Sequence, residues 1–301
     1  MTMTEQPEEL VESQVFLVDG PVELDVSVTL GRITVELEPD TTEAIVEVRH
    51  DPEVREPWAQ GMNNLLNWVS ERFGDQFGDL RGSAAEAVRE TRVEQTGNRI
   101  VIRAPKALPL RNIPLGVVVR APAGSRLEVR AGSADVTVTG ASGRADVLTG
   151  AGEVKLDRVD GPAIVRTGSG AIRLGPTLGG LQLRTGSGDV EASSLSGSAT
   201  LATGTGDVWL GAASGEIMAR SGSGDLSVAD AASGSLELIT GSGEIRVGVR
   251  PGVVAEVDLT SSSGKVSSEL DVELEQPAGE VPLRIRARTG SGAAMLTRAP
   301  Q

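Results

Sequence analysis

Apolar and polar residues alternate in short runs along most of this chain, and glycine and serine interrupt the runs at regular intervals. Between Gly186 and Thr203 the pattern is complete. Val190-Glu191-Ala192 alternates after a Gly-Ser-Gly-Asp turn, Gly197 marks a second turn, and Ala199-Thr200-Leu201-Ala202-Thr203 alternates again. Alternation with period 2 between turn residues is the mark of a half-buried strand. Each unit therefore reads as strand, turn, strand, turn.

The unit repeats. Its leading glycine stands at Gly132, Gly150, Gly168, Gly186, Gly204 and Gly222, always 18 residues apart, and then at Gly241 after 19. A degenerate copy passes through Ser262 and Gly264, and a last one through Gly290 and Gly292. Aliphatic columns keep the same period: Val136, Val154, Ile172, Val190, Val208, Leu226 and Ile245 on one strand, and Val129, Val147, Val165, Leu183 and Leu201 on the other. One unit cannot bury its apolar face alone, so the copies must stack into a continuous core. The predicted fold is all-β: a parallel β-solenoid of 18-residue coils with two sheets and a flattened section. Neighbouring coils would lie ~4.8 Å apart, and nine of them would make a rod about 40 Å long.

Before the regular copies, the alternation of Val22, Leu24, Val26, Val28, Leu30, Ile33, Val35 and Leu37 predicts strands of the same solenoid. Residues 55–92 break the pattern. Trp58, Met62, Leu65, Leu66, Val69, Phe73 and Phe77 are spaced as one face of an amphipathic helix, and Ser83 to Glu90 as a further short helical turn. That helix is expected either to cap the solenoid or to dock a partner. The organisation so read is a disordered acidic tail over 1–14, N-terminal solenoid strands over 15–54, a helical insertion or cap over 55–92, and the repeat domain over 93–301.

Composition narrows the function classes. The 301 residues include no Cys, which excludes disulfides and thiolate metal sites, and no apolar run approaches the ~20 residues a membrane span needs. The formal net charge is −14, and residues 1–53 alone hold 14 acidic against two basic side chains, Arg32 and Arg49, so the repeats are nearly neutral. Such a field disfavours nucleic acid as a partner. The N-terminus lacks the basic and apolar regions of a secretory signal, and a cytoplasmic location is the expectation.

No catalytic, cofactor-binding or metal-binding constellation stands out. The repeated Gly-x-Gly opens strands rather than helices, which argues against a phosphate loop. The phrase is similar to calcium-binding rolls, but its acid follows the glycine directly and only once per coil, where those rolls need two. The acidic column Asp135, Glu153, Asp189, Asp207, Asp225 and Glu244 is expected to face the arginine column Arg130, Arg166, Arg184, Arg220 and Arg288 across the turn. That pairing would offset the repulsion of like charges ~5 Å apart. The hydroxyl column Thr149, Thr167, Thr185, Thr203, Ser221 and Thr240 is expected to point inward at the corner. Trp209 is the lone aromatic of the repeat and an outward-facing candidate for contact with a partner.

Val119-Arg120-Ala121-Pro122-Ala123-Gly124, then Leu127-Glu128-Val129, lead into the Thr-Gly-Ser-Gly-Asp-Val coils. In these phrases, over roughly residues 117–296, the chain resembles the bacterial domain-of-unknown-function family of putative adhesins with β-strand repeats. The resemblance implies adhesion without an assigned activity and brings no catalytic residues. The expected function is a non-enzymatic scaffold presenting a solenoid face to a protein partner or to copies of itself. The alternatives are a parallel β-helix enzyme acting on polysaccharide and a calcium-stabilised roll.

Overall fold

A computed structural model describes residues 11–52, 83–270 and 281–300 of the chain. The predicted face of Trp58, Met62, Leu65, Leu66, Val69, Phe73 and Phe77 lies outside the described residues, as does most of the helical insertion.

The chain begins with β1 (Val11–Leu17), β2 (Glu23–Glu38) and β3 (Glu43–His50), and continues after α1 (Ala84–Arg89) with β4 (Arg92–Thr96) and β5 (Arg99–Arg103). Next come β6 (Leu115–Pro122), β7 (Arg126–Ser142), β8 (Arg144–Ala151), β9 (Val154–Val159), β10 (Ala163–Ser169), β11 (Ile172–Leu174) and β12 (Leu181–Ser187). The body ends with β13 (Val190–Ser196), β14 (Ala199–Thr205), β15 (Val208–Ser223), β16 (Leu226–Ser242) and β17 (Ile245–Val249). The last strands are β18 (Ala255–Ser261), β19 (Val266–Ser268), β20 (Leu283–Ser291) and β21 (Ala294–Arg298).

The strands form two parallel ladders, as the two-strand coil predicts. One runs through the first halves of β2 and β7, then β8, β10, β12, β14 and the second halves of β15 and β16. The other runs through the second halves of β2 and β7, then β9, β11, β13, the first halves of β15 and β16, and β17. Long strands such as β7, β15 and β16 bend round a corner and join the ladders into one sheet. The core lies between the ladders. Val136, Val154, Ile172, Val190, Val208, Leu226 and Ile245 are all buried there, one above another.

Stacking departs from chain order at both ends. At the start, β2 lies between the coil made by β5 and β6 and the coil of β7. At the finish, β20 and β21 slot between the body and the earlier coil of β18 and β19. The outermost coil is therefore not the last in sequence.

Two expectations for the N-terminal region are corrected. The tail read as disordered over 1–14 gives way to strand at Val11, because Phe16 packs on the core and β1 completes its hydrogen bonds with β3. The N-terminal strands are also not all parallel solenoid. β3 runs antiparallel to β6 and β1 antiparallel to β3, while β4 runs antiparallel to β5. Antiparallel strands reverse the direction of winding and so close the stack. Helix α1 buries Ala87 and Val88 against this closure, touching β3 and β1. Ile100, Ile102, Val117 and Val119 of the first coil are consequently buried.

Candidate interaction surfaces

The corner between the ladders carries the repeated Thr-Gly-Ser-Gly-Asp phrase, and its side chains are used structurally. Ser221 Oγ donates to the Gly206 carbonyl at 3.1 Å, Thr240 Oγ1 to that of Gly224 at 2.9 Å, and Thr289 Oγ1 to that of Gly243 at 2.9 Å. These hydroxyls tie their corners to the neighbouring coil, whereas Thr167 Oγ1 donates within its own coil, to the Ser169 carbonyl at 3.1 Å. Thr185 Oγ1 is buried with no hydrogen-bond partner.

The acidic column is not offset by the arginine column. Asp135 Oδ1 accepts the backbone N–H of Glu153 at 2.8 Å, Asp189 that of Asp207 at 3.0 Å, Asp207 that of Asp225 at 2.8 Å, and Asp225 that of Glu244 at 2.7 Å. A short aspartate reaches one coil along the stack, and each of these four carboxylates meets an amide dipole before it meets its neighbour's charge. Sequence spacing shows the column but not this direction of bonding. Three of the five arginines instead pair on their own face: Arg130 with Glu128, Arg220 with Glu237, and Arg288 with Asp258.

Among the described residues, that face has one deeply buried charge, Asp25, which the sequence did not single out. Asp25 lies on an outward position of β2, yet its side chain is only 3% exposed because Arg99 and Arg103 of β5 reach over it. Both arginines hydrogen-bond its carboxylate at 2.5 Å. The hydrogen bonds from Arg103 hold the Asp25 carboxyl below the usual carboxylate range; burial opposes them, and Arg99 adds to them. Around this centre Glu23, Arg126, Glu128, Arg144 and Asp146 line a shallow charged depression.

Trp209 is exposed on the outer face of the second ladder, in register between Glu191 and Ser227. Its ring lies beside Gly211, where an added Cβ would come within 3.3 Å of Trp209 Cη2.

The C-terminal end is different in kind. Val257 and Val266 occupy inward columns, in register with Ile285 and Ala294. Ile285 is 2% exposed and Ala294 0%, but Val257 is 37% and Val266 45% exposed. Among the described residues, no strand pairs with the far edge of β18 or β19. Among the described residues, nothing covers these two positions.

Residues 89–290 match the family described as Toastrack DUF4097. The chain belongs to that family. Solved structures similar to this Toastrack chain include a putative adhesin from Bacteroides fragilis NCTC 9343, which is 12% identical with a TM-score of 0.41, over 97% of this chain and 100% of that one. A putative adhesin from Parabacteroides distasonis ATCC 8503 is 12% identical with a TM-score of 0.33, over 96% of this chain and 98% of that one. One from Parabacteroides merdae ATCC 43184 is 10% identical with a TM-score of 0.34, over 96% of each chain. TM-scores this low carry no inference about the function of this Toastrack chain. No curated protein matches it. Among its described residues no helix is long and apolar enough to cross a membrane, and no group of three or more His, Asp or Glu is placed to hold a metal ion.

Proposed function

We propose that this Toastrack chain is a non-enzymatic interaction scaffold that associates through its C-terminal coil, and that the coil's partner is the same coil of a second copy. The exposure of Val257 and Val266 at the end of an otherwise buried core carries this reading. An unpaired strand edge offers free backbone donors and acceptors, and adjoining exposed core residues add an apolar driving force.

The difference between the two ends favours a closed pair over a filament. Antiparallel β1, β3 and β4, with α1, occupy the N-terminal end, so a second rod cannot extend the parallel ladders in the same winding direction there. Two C-terminal ends meeting about a two-fold axis would cover each other, as an isologous interface does. The charges of the edge do not oppose this. Glu256 and Asp258 are already matched to Arg284 and Arg286 on β20. The most deeply buried carboxylate among the described residues, Asp25, is held ionised between two arginines, a setting suited to holding coils together rather than to proton transfer.

Sedimentation velocity tests the proposal. The chain is expected to sediment as a dimer at micromolar concentration, and the Val257→Lys/Val266→Lys variant as a folded monomer with unchanged circular dichroism. A wild-type monomer at high concentration, or open-ended polymers, would overturn it.

A further inference from the structure

The outer face of the first ladder is rich in arginine, and most of these side chains have an acidic partner. Arg99 and Arg103 hold Asp25, Arg126 meets Glu23, Arg130 meets Glu128, and Arg220 meets Glu237. Arg284 meets Glu256, and Arg286 and Arg288 both meet Asp258. Arg166 and Arg184 are different: among the described residues neither has a carboxylate within ion-pair distance. They stand on two consecutive coils, on β10 and β12.

Arg166 and Arg184 are register partners on adjacent parallel strands, and both are exposed. Like charges opposite one another on neighbouring strands are destabilising, and nothing in the fold requires them here. The Arg166 position is taken by Leu148 one coil before, and the Arg184 position by Ala202 one coil after. The adjoining outward column places uncharged Ile164 and Gln182 beside them, and its carboxylates begin one coil earlier, at Asp146. The result is a positive strip on a chain whose formal net charge is −14. A local rule broken without compensation inside the fold is expected where a ligand supplies the compensation.

We propose that Arg166 and Arg184 bind the side-chain carboxylates of an acidic peptide segment. Guanidinium groups grip carboxylates with two parallel hydrogen bonds, and two on adjacent coils offer two grips to one chain. The strip is narrow. Beyond the Thr-Gly-Ser-Gly corner stand Asp189 and Asp207, so a broad polyanion such as a nucleic-acid duplex would meet like charge along one side. A single extended chain avoids that column. The strip lies on coils away from the terminal one, so it does not depend on dimerisation, and the Val257→Lys/Val266→Lys variant should bind equally well.

The test is fluorescence anisotropy with a labelled poly-glutamate peptide. Wild type is expected to bind at low salt and to weaken as salt rises. Arg166→Gln/Arg184→Gln should lower affinity about tenfold or more, while Arg284→Gln, which loses an already paired arginine, should not. The same double variant should melt at a slightly higher temperature, because the repulsion is gone, which separates lost binding from lost folding. Unchanged binding by the double variant, or no binding by wild type at low salt, overturns the proposal. Tighter binding of an oligothymidylate through the same arginines would also overturn it, in favour of a phosphate-bearing ligand.

Discussion

Arg103 grips Asp25 with both prongs of its guanidinium, Nη1 to Oδ1 and Nη2 to Oδ2, each at 2.5 Å. The pair joins β5 to β2, the two coils whose order in the stack is reversed from their order in the chain. Removing one partner of a buried ion pair leaves the other charge uncompensated. Arg103→Ala is therefore expected to destabilise by roughly 3 kcal/mol, and Arg99→Ala by less, because Arg103 still holds both oxygens. Urea titrations of the two variants measure the difference.

The same carboxylate sets an acid limit. Its folded-state pKa lies below the unfolded value, chiefly through the Arg103 hydrogen bonds. A depressed carboxyl contributes stability that is fully present above the unfolded pKa, about 4, and is lost as pH falls through the folded value. The stability gap between wild type and Asp25→Asn should therefore be constant near neutral pH and close progressively below about pH 4. A gap that did not change in acid would mean Asp25 contributes by shape alone.

Asp207 separates a backbone cap from a charge ladder. Its Oδ1 accepts the Asp225 N–H at 2.8 Å. Asp207→Ala should cost about 1 kcal/mol through that lost bond. Asp207→Asn keeps an acceptor and removes a charge from an acidic column, so it should lie within about 0.5 kcal/mol of wild type. If the column were held by arginines instead, Asn would be as damaging as Ala, and the loss would shrink with added salt.

Gly170 and Gly180 sit in the same coil under different constraints. Gly170 has φ +137°, and a Cβ there would overlap the Gly152 carbonyl of the coil below. Gly180 has φ +95°, but its nearest atom, the Ser198 carbonyl oxygen, would be 3.3 Å from the added carbon. Gly170→Ala thus combines backbone strain with a clash that only separating the coils could relieve, and should cost about 3 kcal/mol or more. Gly180→Ala carries mainly the conformational term, roughly 1–2 kcal/mol. Thermal melts of the two variants should differ by several degrees.

The repeat made the body of the fold legible, because period fixes register: Val190 opposite Val208, Leu183 opposite Leu201, and so along the stack. What period cannot show is where the repeat ends in space. The insertion of β20 between β16 and β18 follows from no local pattern, since each of those strands would fit either neighbour equally well. The antiparallel turn of β3 onto β6 was hidden for a similar reason, as Ala44, Val46 and Val48 alternate identically whichever way the strand runs. Asp25 was missed because it stands at an outward position of a regular strand. Only the three-dimensional neighbourhood of Arg99 and Arg103 makes it a buried charge. Trp209 is exposed, but that alone does not make it a contact.

Thr185 and Thr240 hold equivalent corners and are predicted to respond oppositely to the same substitution. Thr240 Oγ1 donates to the Gly224 carbonyl at 2.9 Å, so Thr240→Val removes a buried bond and leaves that oxygen short of a donor. The expected loss is about 1–2 kcal/mol. Thr185 Oγ1 is buried without a partner, and the folded state already carries the desolvation cost of its hydroxyl. Replacing it by the near-isosteric methyl of Val removes that cost, so Thr185→Val should stabilise by about 1 kcal/mol. Denaturation midpoints moving in opposite directions would establish that corner hydroxyls are valued by their bonds; a parallel loss in both variants would mean that Thr185 finds an acceptor in solution.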